Sequence, residues 1–564
     1  MTEAVARLVD LRILDGPNLY FPRPAVKVTL AVPGWLRASE DRVEAVARTL
    51  GFTRFEPGGR GSDQRIRAVA RIGAQTARRI AERDGARRLA VRGRPGPEPG
   101  QVVIAFPWRR RGSAEALGQA VADGMAQALR RSPERLIAEL AKRVDSVDPG
   151  PEPAVPDPPI PVIQVTGTNG KTTTTRLLAH IVMGAGMHVG FSSTDGVYRD
   201  GRLVERGDYS GFGGAELALA KQPDVAVLET ARGGILLRGI GVRHNDVAVV
   251  TNVSADHLGL HGVHTVDQLA EVKGTITRIT RPDGWAVLNA DDPRVLAMRR
   301  YATGRPWLVS LDPDHPAFRE ALAEGGRAMT VLDGWIVWLE RRRAHRLVRS
   351  VDVPITMAGI SSIYTYNALA AAAAALGIGL SERVVSRGLR SFVMDPTRNP
   401  GRANVFELKG VILVMDYAHN EAGMKGLVEI LQALRPPGGE IHIAIGTAGD
   451  RTDSILQGFA LQAAIGCDHL AIAELPRYLR GRSREDVVAQ LRTGARRALK
   501  EDVPAYPDEL TALRAMLKAA HAGDVVALTA LAKRTEVFRS LRRRDARRLG
   551  PADIKRLVRR AASR

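Results

Sequence analysis

The sequence predicts an α/β protein in three parts: a small α+β domain, a central P-loop domain, and a smaller Rossmann-like, doubly wound domain. Three observations predict it. From residue 160 onward, apolar runs that end in polar residues alternate with helical patterns, as in a parallel sheet. A glycine-bearing turn, Thr166-Gly167-Thr168-Asn169-Gly170-Lys171-Thr172, stands between one such run and a helix. Between positions 149 and 161, seven of thirteen residues are proline. Proline fixes φ and offers no N–H, so this stretch is extended, stays out of any sheet interior and divides the chain. The expected units are 1–145 (α+β), 146–160 (proline-rich linker), 161–396 (central domain) and 397–564 (C-terminal domain).

In the first unit, VDLRILDGPNLY and KVTLAV read as strands, 40–50 and 114–129 as helices, and RRLAVRG and GQVVIAFPW as two further strands. The central unit opens with the buried-type strand IPVIQV, the glycine turn, and the helix TTTRLLAHIVMGAG. VAVLET, DVAVVTNV and WAVLNA follow as strands. VILVMDYA, IHIAIGTA, HLAIAE and DVVALTA form a second such set. In open parallel sheets the chemistry sits at the carboxyl ends of the strands.

Bulk composition narrows the function classes. At 564 residues the chain exceeds one ordinary core, and 45% hydrophobic with 25% charged residues suits a globular protein. The lone cysteine, Cys467, allows neither an internal disulfide nor a zinc–thiolate cluster, and a reducing cytoplasm is expected. The N-terminal stretch carries acids and makes a poor signal peptide. The longest apolar candidate, 368–376, is alanine-rich and too short to span a membrane. The formal charge of +21 suits an anionic substrate or polymer, whereas only 5% aromatic residues leave few stacking platforms for nucleic acid. About half of that excess lies after residue 533, where RSLRRRDARRLGPADIKRLVRR reads as a solvated helix.

The glycine turn carries the chemistry. Its backbone N–H groups and the following helix N-terminus are suited to phosphate oxygens. Lys171 reaches toward the β/γ-phosphates of a nucleotide, and the Thr172 hydroxyl suits Mg²⁺. The usual P-loop glycine six residues before the lysine is Val165 here. Glu229 follows VAVL, and Asp256 and His257 follow VVTNVSA, each just past a strand of the same domain. Glu229 with Thr172 would supply the oxygen ligands that Mg²⁺ prefers.

GTNGKTT, ETARGGIL, TNVSADHLG, LNADDP, GRANVFE and DYAHN occur in this order. Together they resemble the Mur ligase superfamily, most closely the Mur-like half of cyanophycin synthetases, over 160–564. LRILDGPNLY resembles the opening of the cyanophycin synthetase N-terminal domain. In that family an ATP-grasp domain stands between the two parts; here the proline stretch replaces it. The resemblance implies that Gly167, Thr168, Asn169, Gly170, Lys171, Thr172 and Thr173 hold ATP. It also implies that Glu229 binds Mg²⁺, that His257 helps hold a second ion, and that Lys273 corresponds to a lysine carbamylated in many Mur ligases. Asn289 and Asp291 resemble nucleotide-side residues, and Arg402 the arginine that meets the γ-phosphate. Asp416 and His419 resemble residues that the C-terminal domain brings to ATP and substrate on closure. Many Mur ligases carry His-Asn where this chain has SSIYTYN, and only Asn367 aligns.

The activity so implied is an ATP-dependent acid–amino-acid ligase. It activates a carboxylate as an acyl-phosphate and couples an amine, with ATP and Mg²⁺ as cofactors. In cyanophycin synthetases the Mur-like half couples arginine to an aspartate side chain. The expected partners are therefore an amino acid such as arginine and a carboxylate-bearing peptide or polymer. Peptidoglycan-type ligation on a UDP-linked precursor, a non-catalytic nucleotide-binding scaffold and a nucleic-acid ATPase are the competing readings. The sequence leaves the oligomeric state open, a homo-oligomer included.

Overall fold

The computed structural model describes residues 4–83, 85 and 88–562. The first unit is a four-stranded antiparallel sheet in the order Arg7–Leu14, Ala25–Ala31, Gln101–Pro107, Arg92–Pro95. Gln101–Pro107 is buried on both faces, which removes the usual alternation. Val102, Ile104 and Phe106 pack with Ile72, Val121 and Met125 of the domain's own helices. Val103 and Ala105 pack instead with Ile235, Val263 and Val272 of the central unit. The first sheet is thus clamped between its helices and the domain that carries the glycine turn.

The strand expected over RRLAVRG lies further along, at Arg92–Pro95, and Arg87 falls outside the described residues. The hairpin with Gln101–Pro107 sets this register: Gly96 N–H bonds to Gln101 O at 2.7 Å. The strand also crosses the helix Asp63–Arg83 at Gly93, where a Cβ would sit 2.1 Å from Ala70 O.

The proline-rich stretch forms neither helix nor strand, and it is tied down along its length. Pro149 and Pro151 carbonyls accept from Gly112 and Arg111, and Pro156 O accepts from Arg243. Val155 is buried.

An eleven-stranded sheet follows. Its parallel heart runs Arg327–Leu332, Arg305–Val309, Thr280–Asn289, Asn245–Val250, Val162–Thr166, Val225–Glu229, Val189–Ser193. Antiparallel hairpins finish both edges. Val165 pairs with both Val249 and Glu229, so three strands end level and deliver their following loops to one place. The helix Ser362–Gly377 is buried along Ala368–Ala375, and its small side chains let it lie close against the helix Lys171–Gly184. Among the described residues no helix is long and apolar enough to cross a membrane.

The last sheet has seven strands in the order Ala505–Tyr506, His469–Ala473, Ile441–Ile445, Val525–Thr529, Val411–Asp416, Asn404–Leu408, Arg547–Arg548. The first five are parallel and the last two antiparallel. The basic tail is not one solvated helix. Two helices, Arg534–Arg543 and Pro551–Ala562, flank the short strand Arg547–Arg548. The chain breaks at Asp545, with φ +56°, and restarts at Pro551, whose missing N–H costs nothing at a helix start. Val537 and Leu541 are buried against the sheet, and Ile554 is buried where the last helix packs on the helix Glu421–Leu434.

Candidate active site

The glycine turn joins the buried strand Val162–Thr166 to the helix Lys171–Gly184. Gly170 has φ +89°, and a Cβ there would lie 2.3 Å from Asn367 Oδ1. Gly167 is similarly confined: a Cβ would lie 1.9 Å from Thr251 Oγ1. Val165, at the position where P-loops usually have glycine, is a buried strand residue.

Thr172 Oγ1 donates to Glu229 Oε2 at 2.9 Å and lies 3.0 Å from Thr194 Oγ1. Thr194 bonds the same carboxylate through its hydroxyl (3.1 Å) and its N–H (3.3 Å). Glu229 is 1% exposed, and burial raises its pKa against the pull of Lys171 and the Thr172 hydrogen bond. Lys171 Nζ rests on Thr168 O at 2.9 Å. A carboxylate among hydroxyl oxygens beside a lysine is a donor set suited to a hard, oxygen-seeking divalent cation.

Lys273 enters from the other side. Its Nζ donates to Gly167 O at 2.6 Å, and the residue is 4% exposed. Burial, then the Lys171 charge, pushes its pKa well below the usual lysine value.

The C-terminal sheet closes over this floor. Arg402 stacks on Tyr417, its guanidinium carbon 3.9 Å from the ring centroid, and its buried Nη1 has no hydrogen-bond partner among the described residues. Asp416 accepts from Ala403 N–H, Ala418 N–H and the Tyr364 hydroxyl, at 2.8, 2.7 and 3.0 Å. Asn169 and Asn420 exchange two amide hydrogen bonds, 3.1 and 3.0 Å.

Asp256 is met by His419 Nε2 and Arg451 Nε, each at 3.3 Å. Burial opposes its charge. The His419 hydrogen bond and charge, with His257 and Arg451, more than offset this and hold its pKa well below the carboxylate range. His257 Nδ1 lies 3.2 Å from Asp450 Oδ2, so it faces the C-terminal unit rather than Glu229.

One cleft gathers the turn from Gly167 to Thr173 with Glu229, His257, Lys273, Asn367, Arg402, Asp416 and His419. Asn289 and Asp291 do not line it. Asn289 Nδ2 donates to Thr251 O, and Asp291 is bonded by Ser310, Leu311 N–H and Tyr366. They knot strand ends behind the glycine turn.

Sequence reasoning passed over Thr194, Asp450 and Arg451. Asp450 and Arg451 come soon after the strand Ile441–Ile445, so the strand-end signal that picked out Glu229 was present for them. Thr194 follows Val189–Ser193 in the same way.

A second cavity of about 510 Å³ opens between the first sheet and the loops of the central one, lined by Asp10, Arg12, Lys27 and Arg94 among others. His261 lines both it and the cleft. Burial lowers the pKa of His261, and so do the charges of Arg232, Arg12 and Lys27. Arg12 and Lys27 share Asp10 at 3.4 and 3.5 Å, and Arg94 pairs with Glu271 at 3.2 Å; beyond His261, Arg232 donates to His257 O and Leu260 O at the cleft wall.

Comparison with known proteins places this arrangement. The Mur ligase middle domain model matches residues 165–375, and the Mur ligase, glutamate ligase domain model matches residues 401–531. The chain belongs to the Mur ligase family. It is 41% identical to the cyanophycin synthetase of Crocosphaera subtropica over 56% of its own length, and the match spans 36% of that longer protein. It is 28% identical to the UDP-N-acetylmuramyl-tripeptide synthetase of Deinococcus radiodurans, over 74% of this chain and 81% of that one. The solved structure of E. coli FolC in complex with DHPP and ADP shares the fold. It covers 69% of this chain and 89% of its own, at 22% identity and a TM-score of 0.51.

Proposed function

We propose that the chain is an ATP-dependent ligase that activates a carboxylate as an acyl-phosphate and joins it to the amine of an amino acid. The observation that carries this reading is the meeting, in one cleft, of the Lys171–Thr172–Glu229 group with Arg402, Asp416 and His419 from the facing sheet. The resemblance to cyanophycin synthetase makes arginine the first amine to try. The formal charge of +21, with Arg232 at the cleft wall and Arg12 and Lys27 on the first sheet beside it, favours an acidic peptide or polymer as acceptor. The first domain is then the part that holds it.

In this reading the N–H groups of the glycine turn hold the phosphates, and Lys171 leaves Thr168 O to meet them. Thr172 and Glu229 would hold Mg²⁺, with carbamylated Lys273 at a second ion that His257 would join by turning from Asp450. The metal, when bound, neutralises charge on the phosphate oxygens. The buried Nη1 of Arg402 gains a phosphate oxygen. The acceptor carboxylate attacks the γ-phosphorus, the bond to the β-phosphate oxygen breaks, and ADP forms. The amine then attacks the acyl carbon, sheds a proton and expels phosphate. The paired faces Asn169–Asn420 and Asp256–His419 exclude the water that would hydrolyse the acyl-phosphate.

The test is ADP release from ATP and Mg²⁺, screened over amino acids with and without short aspartate-containing peptides, with Lys171→Ala as blank. Release stimulated by one amine only when an acidic peptide is present identifies the ligase and both substrates. Release no faster than the Lys171→Ala blank for every pair sinks the reading.

A further inference from the structure

The C-terminal sheet gathers a second set of chemistry-bearing side chains, at the amino ends of its strands, whereas the cleft lies at their carboxyl ends. Ile441–Ile445 and His469–Ala473 run parallel, with His442 directly opposite His469. Glu440 stands two residues before His442 and so projects on the same face. One ligand atom from each of Glu440, His442 and His469 lies within 4.8 Å of the others. The two imidazole rings stack at 4.4 Å between centroids, and His469 Nε2 is 2.8 Å from Glu440 Oε2.

His442 is 1% exposed. Its Nε2 faces Asp524 Oδ2 at 3.3 Å, and Asp524 is itself fixed by the N–H groups of Glu440 and His521. The Nδ1 of His442 is buried and has no hydrogen-bond partner among the described residues. A buried ring nitrogen without a partner is unusual, because such atoms are ordinarily satisfied. A carboxylate on one imidazole nitrogen, with the other nitrogen unengaged, is how metal-binding histidines are oriented.

We propose that Glu440, His442 and His469 form a binding site for a divalent transition-metal ion of the zinc class, separate from the catalytic cleft. Two imidazoles and a carboxylate are a borderline donor set that zinc accepts with a water in the fourth position. Calcium and magnesium take oxygen ligands and do not compete for it. His469 and Glu440 are both more than half exposed at their side chains, so an ion can enter from solvent and their rings and carboxylate can turn onto it. The ion would pin two neighbouring strands together, and its effect is read in stability rather than in ATP chemistry.

The experiment uses the full chain, stripped with a chelator and titrated with Zn²⁺ alone by calorimetry and thermal unfolding, with Mg²⁺ as the comparison. The expected result is one Zn²⁺ per chain and a Tm raised by Zn²⁺ but not by Mg²⁺. His469→Ala and Glu440→Gln, at exposed positions that leave the fold intact, abolish the Tm rise. Asp524→Asn weakens zinc affinity about 10–100-fold by releasing the His442 ring. No zinc binding, or binding unchanged in both His469→Ala and Glu440→Gln, overturns the proposal. Binding lost in Glu229→Gln instead places the ion in the catalytic cleft and overturns it equally.

Discussion

Asp256 of the central unit and His419 of the C-terminal unit meet across the cleft, the ring Nε2 3.3 Å from the carboxylate. Both are buried or nearly so, and Arg451 reaches the same carboxylate from the C-terminal side. This contact ties the closed arrangement of the two sheets to the charge on one group.

Asp256 has its folded pKa held well below the ordinary carboxylate value, by His419, His257 and Arg451 acting against burial. Its stabilising contribution is therefore fully present above the unfolded value of about 3.9 and is lost as pH falls through the depressed folded value. Asp256→Asn should destabilise the protein at neutral pH by about 3 kcal/mol, the cost of breaking a buried pair. Thermal unfolding of both proteins from pH 7 downward checks this. The gap in Tm should close at acid pH, and a gap independent of pH would refute the assignment.

Gly170→Ala tests the shape of the phosphate turn. The substitution places a side chain at φ +89°, costing roughly 1–2 kcal/mol, and drives it into Asn367 Oδ1. ADP affinity, measured by calorimetry, should fall at least about tenfold. Adding Asn367→Ala relieves the contact but not the backbone strain, so the double variant should recover only part of the loss. Full recovery would mean the contact alone matters.

The glycine turn, Glu229 and the strand-end rule were legible because each sits at a change from apolar run to polar residue, which a linear sequence displays. The antiparallel hairpins that widen the central sheet were not, because short strands of mixed polarity such as Arg202–Arg206 carry no periodic signal. The break in the basic tail was written as Gly550-Pro551, but arginine-rich composition masked it. Burial of the strand Gln101–Pro107 on both faces depends on the central unit docking there. The unbroken apolar run from Val102 to Phe106 signals cover on both faces, but not which unit supplies it. The pairings His257–Asp450 and Asp256–His419 join residues more than 150 positions apart, so only the closed fold brings them together.

Lys273 is buried against Gly167 O with its pKa pushed well down, chiefly by burial. The unfolded chain holds that proton up to about 10.4, so it binds more protons than the folded one and stability rises with pH. In CO₂-free buffer, Lys273→Met should raise Tm at neutral pH, with the gain shrinking as pH climbs toward 10. The unprotonated amine is also the form that takes up CO₂. In ¹³C-bicarbonate the protein should show a carbamate carbon resonance that Lys273→Met lacks; its absence from the wild type would leave Lys273 unmodified.

Arg12 and Lys27 stand on the first sheet, remote from the phosphate turn, yet their charges reach His261 at the cleft wall. If the acceptor is acidic, they draw it toward Arg232 and take no part in ATP chemistry. Arg12→Glu with Lys27→Glu should therefore raise KM for an aspartate-rich peptide about tenfold or more while leaving kcat and KM for ATP unchanged, because the loss is of uniform binding. The wild-type KM for that peptide should also rise with salt, and the double variant should lose most of that dependence. An unchanged peptide KM in the variant would separate the first domain from acceptor binding, and the acidic-acceptor reading would then rest on the cleft alone.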